Sequence, residues 1–289
     1  MKYQKYLDTL PSLEGKQVLV TGATDGLGKE VIYHLAYKGA KLILACRNLE
    51  KADLVKTNLL KVYPNTDITI FKYDQADFAS IDEFVEQVKN YKIDGMIANV
   101  GIYFPKKKLK TKDGYELTLG TNYFGTFHLI DKLRNHLNND KTRVVIVTSL
   151  AAVYSKNISL SDSNKLDRNE VYGFSKRCLS RLGYELNSLN EGATYYLAHP
   201  GICSTNITSN KDTGFPHWYG VVAHKGLTLL THSPKKAALT FMKALTSTSE
   251  NKFISPRGPF YISGYPIERK YPKYLTKPII IETKEYLEN

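Results

Sequence analysis

Short apolar, β-branched runs alternate with longer amphipathic stretches along most of the chain. Gln17 to Thr21 (QVLVT) has the pattern of a buried strand and runs into a glycine turn, Gly22 to Gly28. A helical pattern follows from Lys29 to Lys38 and stops at Gly39, the residue type best suited to the left-handed backbone past a helix end. Further strands are expected at Lys41 to Ala45, Ile68 to Tyr73, Ile93 to Val100, Arg143 to Thr148 and Thr194 to Ala198, with Pro259 to Ile262 as the last. Asn48 is placed to cap a helix running to about Tyr63. Ser80 with Glu83 forms an S-x-x-E capping box before IDEFVEQVKNY. Longer helical patterns cover about Gly114 to Leu137 and Glu170 to Asn190, and Ser233-Pro234 starts another that ends near Leu245.

Strands apolar on both faces, each followed by a helix, predict an α/β fold: a doubly wound parallel sheet of the Rossmann type covered on both sides. No repeat or compositional break divides it. The expected layout is an N-terminal extension over 1–14 and one domain over 15–265. An irregular insertion at 202–233 and a tail over 266–289 complete it.

Composition narrows the chemistry. The 289 residues include 40 Lys+Arg and 28 Asp+Glu, a net charge of +12, which admits nucleic acid, an anionic surface or a small acidic ligand as partner. The basic residues are dispersed from Lys2 to Lys284, with one block at Lys106 to Lys108 and no arginine-rich arm, so nucleic acid is not expected. Cys46, Cys178 and Cys203 lie far apart and form no zinc-type spacing, so no metal is expected. Apolar runs are too short for a membrane span of about 20 residues. The N-terminus lacks an apolar secretory core, which points to a cytoplasmic protein.

Three motifs carry candidate chemistry. The first is Thr21-Gly22-Ala23-Thr24-Asp25-Gly26-Leu27-Gly28, a TGxxxGxG turn between strand and helix, where backbone can approach a pyrophosphate at a helix N-terminus. The second is Arg47, with Asn48, at the end of the second strand. An acid at this corner would bind ribose hydroxyls; the guanidinium suits a 2′-phosphate instead, so NADP(H) is expected over NAD(H). The third is Ser149, after the fifth strand, together with Tyr172 and Lys176. These two lie four residues apart on one helix face, where an ammonium near a phenol stabilises the phenolate for acid–base work.

In this order the motifs resemble the short-chain dehydrogenase/reductase family over roughly residues 15–265. ACRN, TNYFGTFHL and HPGICSTNI are most similar to its retinol dehydrogenase and protochlorophyllide oxidoreductase-like branch. The resemblance implies that Ser149 polarises a carbonyl, Tyr172 is the acid/base, and Lys176 holds the nicotinamide ribose and tunes the tyrosine. It implies that Asn122 holds a water in the proton relay. It puts the turn residues Gly22, Thr24, Asp25, Gly26, Leu27 and Gly28 against the cofactor, with Asp74 and Gln75 near the adenine. It also implies that Asn99 and Gly101 contact the cofactor and that Pro200, Gly201, Ile202 and Thr205 lie by the carboxamide.

The implied function is NADP(H)-dependent hydride transfer to or from a lipophilic carbonyl or alcohol. Phe215, Trp218 and Tyr219 in the lid suit such a substrate, or equally a contact in a homo-oligomer. His199 is expected to be a packed strand-end residue. One departure stands out: the family's NNAG is Ala98-Asn99-Val100-Gly101 here. It motivates the alternative of a catalytically silent NADP(H)-binding sensor or scaffold.

Overall fold

The computed structural model describes residues 3–103, 105, 107, 109–137, 141–203, 232–250, 252–272 and 277–288. Its centre is a sheet of eight strands in the order β3-β2-β1-β4-β5-β6-β7-β8. The strands are β1 (Gln17–Thr21), β2 (Lys41–Cys46), β3 (Ile68–Lys72), β4 (Gly95–Ala98), β5 (Arg143–Val147), β6 (Thr194–Ala198), β7 (Phe253–Pro256) and β8 (Pro266–Arg269). All pairings are parallel except the last, where β8 runs antiparallel to β7. The doubly wound α/β architecture is the expected one. The last strands differ, because Pro259–Tyr261 is a 3₁₀ turn and the sheet is completed by Phe253–Pro256 and Pro266–Arg269.

Successive strand residues feed opposite cores. Leu19, Ile43, Met96, Val144, Ile146 and Leu197 pack towards α4 (Phe78–Val88), α6 (Gly125–Leu133) and α8 (Arg168–Leu189). Their neighbours Val18, Val20, Leu44, Ile97, Val145 and Ala198 pack towards α1 (Tyr3–Asp8), α2 (Gly26–Tyr37), α3 (Leu49–Leu60) and α9 (Pro234–Thr246). Burial on both faces is why these strands read as continuous apolar runs rather than alternating ones.

The helix ends follow local chemistry. Gly39 takes φ +83° just past α2, and Ser233 caps α9 with Pro234 at its first position, as expected. The capping box at Ser80 does not form. Asp77 caps α4 instead, while the Ser80 hydroxyl accepts the Asp74 N–H at 3.0 Å. Both residues are good cap types, and the one that leaves no donor unpaired in the turn before the helix prevails. The capping box that does form is Asp167 with Glu170, at the start of α8.

The predicted long helix beginning near Gly114 is a composite. A short turn α5 (Leu117–Leu119) leads into a π-helical turn over Gly120–Phe124 and then into α6. The tail folds onto this region as α10 (Ile280–Glu288). Its first backbone N–H groups donate to Glu185, Arg181 pairs with Glu282 at 3.2 Å, and the Thr283 hydroxyl hydrogen-bonds Tyr123. The Tyr286 ring stacks on Phe124 at 5.3 Å. No helix among the described residues is long and apolar enough to cross a membrane.

Candidate active site

The site lies along the C-terminal edge of the sheet, where strand order reverses between β1 and β4 and the crevice between diverging connections opens. Gly22 takes φ +69°, and a side chain at Gly28 would begin 2.1 Å from the Gly22 carbonyl oxygen. The turn therefore closes only with glycine at 28, and the first turn of α2 lies open to an anion. Asp25 caps α2, accepting the Gly26 N–H at 2.7 Å, and its other oxygen pairs with Lys51 at 3.0 Å.

Asn99 is the keeper of this turn. Its backbone N–H donates to the Thr21 hydroxyl at 3.1 Å, and its side-chain amide donates to the Thr21 and Gly22 carbonyls at 3.1 and 3.2 Å. Val100 also donates its N–H to the Thr21 hydroxyl, and its side chain packs over Gly22.

Arg47 is exposed at the end of β2, and its guanidinium has no hydrogen bond or ion pair among the described residues. Asn48 beside it spends its side-chain oxygen capping α3 through Lys51 N–H at 2.7 Å. Asp74 turns a carboxylate oxygen onto the Ala76 N–H at 3.1 Å. Gln75 is buried with its amide donating to the Thr121 carbonyl at 2.6 Å and to the Thr126 hydroxyl at 3.1 Å. Its side chain thus serves the π-helical turn, whose carbonyls lack their usual helical donors.

That turn presents Asn122. The side-chain oxygen accepts the Ile102 N–H at 2.8 Å, and the amide donates to the Ile102 carbonyl at 3.1 Å and the Ser175 hydroxyl at 3.0 Å. Ser175 in turn donates to the Tyr172 carbonyl at 2.8 Å, so Asn122 is tied directly to the helix that carries the tyrosine. Sequence reading missed Ser175; its place between Tyr172 and Lys176 was the available signal. A side chain on Gly101 would begin 3.3 Å from Lys176 Nζ and 3.4 Å from Asn122 Oδ1, which places the three together.

Ser149 accepts the Ala151 N–H at 3.3 Å and lies close enough to the Tyr172 hydroxyl to lower its pKa. Tyr103, also missed, lies edge-on to the Tyr172 ring with centroids 4.6 Å apart. Lys176 is buried, with Nζ donating to the Val147 carbonyl at 3.0 Å and 5.9 Å from the centre of the Tyr172 ring. Burial pushes the ammonium down to about 8. It pushes the Tyr172 hydroxyl up to about 12, against the lowering effect of Ser149. The expected tuning of the tyrosine by Lys176 is therefore not expressed by the chain alone. Desolvation outweighs it, with the ammonium engaged by Val147.

Gly201 takes φ +84° between Pro200 and Ile202. The Pro200 carbonyl meets the His232 ring at 2.7 Å, and Ile202 N–H donates to the Ile262 carbonyl at 2.8 Å. Thr205, Phe215, Trp218 and Tyr219, with most of the insertion, lie outside the described residues, as do Lys106 and Lys108.

A glycine-lined turn at a helix N-terminus, beside a serine, tyrosine and lysine at the ends of β5 and α8, defines a dinucleotide-binding α/β protein of the dehydrogenase class. Residues 16–214 match the short chain dehydrogenase family, and the chain belongs to that family. It is 30% identical over 236 residues to mouse retinol dehydrogenase 13, covering 78% of this chain and 70% of that one. It is 30% identical over 272 residues to a short-chain dehydrogenase/reductase of Phomopsis amygdali, covering 87% and 81%. A Mycobacterium paratuberculosis protein of uncharacterised function shares the fold with a TM-score of 0.74 at 23% identity, over 98% of this chain and 97% of that one. A Burkholderia cenocepacia short chain dehydrogenase in complex with NADP aligns with a TM-score of 0.64 at 20% identity, over 83% and 95%.

Proposed function

We propose that the chain is an NADP(H)-dependent oxidoreductase that interconverts a carbonyl and an alcohol on a small, lipophilic substrate. The observation that carries this reading is the meeting of Ser149, Tyr172, Lys176 and Asn122 beside an open glycine turn. A nicotinamide dinucleotide fits the residues present: a side chain at Gly28 would fill the cradle, α2 offers its N-terminus, and the exposed Arg47 guanidinium suits a 2′-phosphate. Bound there, the nicotinamide supplies the hydride chemistry.

The chain's own residues supply position and protons. Ser149 donates a hydrogen bond to the carbonyl oxygen, and Tyr172, neutral through the physiological range, gives its proton to the same oxygen as negative charge develops. Lys176 holds the nicotinamide ribose through its buried ammonium. Asn122, fixed by Ile102 and Ser175, orients the water through which the tyrosine is reprotonated. Retinol dehydrogenase 13 and its relatives support a lipophilic substrate. The test is NADPH oxidation against a panel of lipophilic ketones, aldehydes and quinones. Turnover that Tyr172→Phe abolishes supports the reading. Silence across the panel with tight NADPH binding replaces it with the sensor.

A further inference from the structure

Behind Ser149, between the tops of β6 and β7 and helices α7 (Ala151–Tyr154) and α8, lies a cavity of about 120 Å³. Ser149 and His199 share its wall with the hydroxyls of Thr148 and Ser180; Val153 and Phe253 are among its apolar neighbours. The His199 side chain is buried at 3% exposure, and neither ring nitrogen has a hydrogen-bond partner among the described residues. The backbone of Tyr261 faces the ring without closing a bond of ordinary geometry. Two unpaired polar atoms in one buried ring are costly unless something else in the cavity completes them.

The other polar groups there are already committed. Ser180 donates to the Lys176 carbonyl at 2.8 Å, so the Thr148 hydroxyl donates to Ser180 across 2.6 Å. Among the described residues, no charged side chain lines the cavity. Burial pushes His199 down to about 4, so the ring is neutral and offers one donor and one acceptor. A carboxylate or ammonium would find no counter-charge. A neutral oxygen finds a matched partner. At roughly 30 Å³ per water, the space equals about four waters, enough for a short oxygen-bearing arm.

We propose that this cavity is a second-oxygen subsite in which His199 hydrogen-bonds a neutral hydroxyl or carbonyl of the substrate, one or two bonds from the carbon that Ser149 and Tyr172 address. The substrate class is then a hydroxy ketone or dicarbonyl on an otherwise apolar chain. This rests on the carbonyl/alcohol reading of the site above.

The test uses the whole chain with NADPH and three probes: 2-octanone, 3-hydroxy-2-octanone and 2,3-octanedione. In the wild type kcat/KM favours the two oxygenated probes. In His199→Phe, which keeps a ring and removes both nitrogens, that preference falls by about tenfold, the worth of one well-made buried hydrogen bond. An unchanged preference overturns the subsite. A second measurement separates it from the catalytic reading: side-chain ¹⁵N spectra of histidine-labelled protein, titrated with 3-hydroxy-2-octanone and with 2-octanone. A His199 ring shift with the hydroxy ketone alone supports the subsite even if no probe is reduced. A ring unmoved by either, or moved equally by both, overturns it.

Discussion

The Asn99 side chain joins the end of β4 to the turn after β1, its amide donating to the carbonyls of Thr21 and Gly22 at 3.1 and 3.2 Å. One residue thereby sets the shape of the dinucleotide turn from the neighbouring strand. It remains from the motif that Val100 departs from, and it explains how the turn keeps its form beside the bulkier residue.

Asn99→Ala removes two donors and leaves two carbonyls short, a loss of about 1–3 kcal/mol. The melting temperature falls by several degrees and NADPH binds more weakly. Asn99→Asp is worse than alanine, since a carboxylate would face the same two oxygens. Calorimetry and fluorescence titration of the three proteins check the order.

Tyr172→Phe keeps the ring that packs against Tyr103 and removes the proton. NADPH binding stays nearly intact, while turnover on a substrate found by screening falls by about 100-fold or more. Unchanged kcat would remove Tyr172 from the chemistry.

Arg47→Ala takes away the guanidinium at the end of β2, leaving Lys72, whose ammonium donates to the Arg47 carbonyl, as a nearby point charge without the planar fork. The Kd for NADPH rises by about 10- to 100-fold, the range of a hydrogen bond to a charged group, and the Kd for NADH hardly moves. Equal weakening of both cofactors would show that Arg47 does not read the 2′-phosphate.

Lys176 makes stability depend on pH in a stated direction. Its folded value, about 8, lies below the free value of 10.5, so between these limits the unfolded chain binds more protons and stability rises with pH. Below about 8 the full penalty of a buried ammonium is present. Lys176→Met lacks that penalty, so its advantage in melting temperature over the cofactor-free wild type shrinks as pH goes from 7 to 10. A constant gap would show that the ammonium is not desolvated.

The sequence revealed the parts of the fold that local chemistry decides. The strands β1, β2, β4, β5 and β6 stand out because each is an apolar run buried on both faces, and helical spacing puts Tyr172 and Lys176 on one face. Phe253–Pro256 did not, since four residues ending in proline carry little pattern, and its partner Pro266–Arg269 pairs antiparallel at the sheet edge. Asp77 rather than Ser80 caps α4 because both residues cap well and the Ser80 hydroxyl is taken by the Asp74 N–H. Gln75 is expected beside the adenine; its side chain turns inward to a π-helical turn that no sequence period announces. The spacing of Tyr172 and Lys176 likewise did not show that the ammonium faces Val147.

The bond between Tyr123 and Thr283 spans 160 residues of chain, and Tyr123 adjoins Asn122. A contact of such long sequence separation requires a large loop to close, so it is slow to form. Refolding followed by activity should lag behind refolding followed by far-ultraviolet circular dichroism. Thr283→Val should widen that interval, making a residue far along the chain the one that times when the site becomes complete.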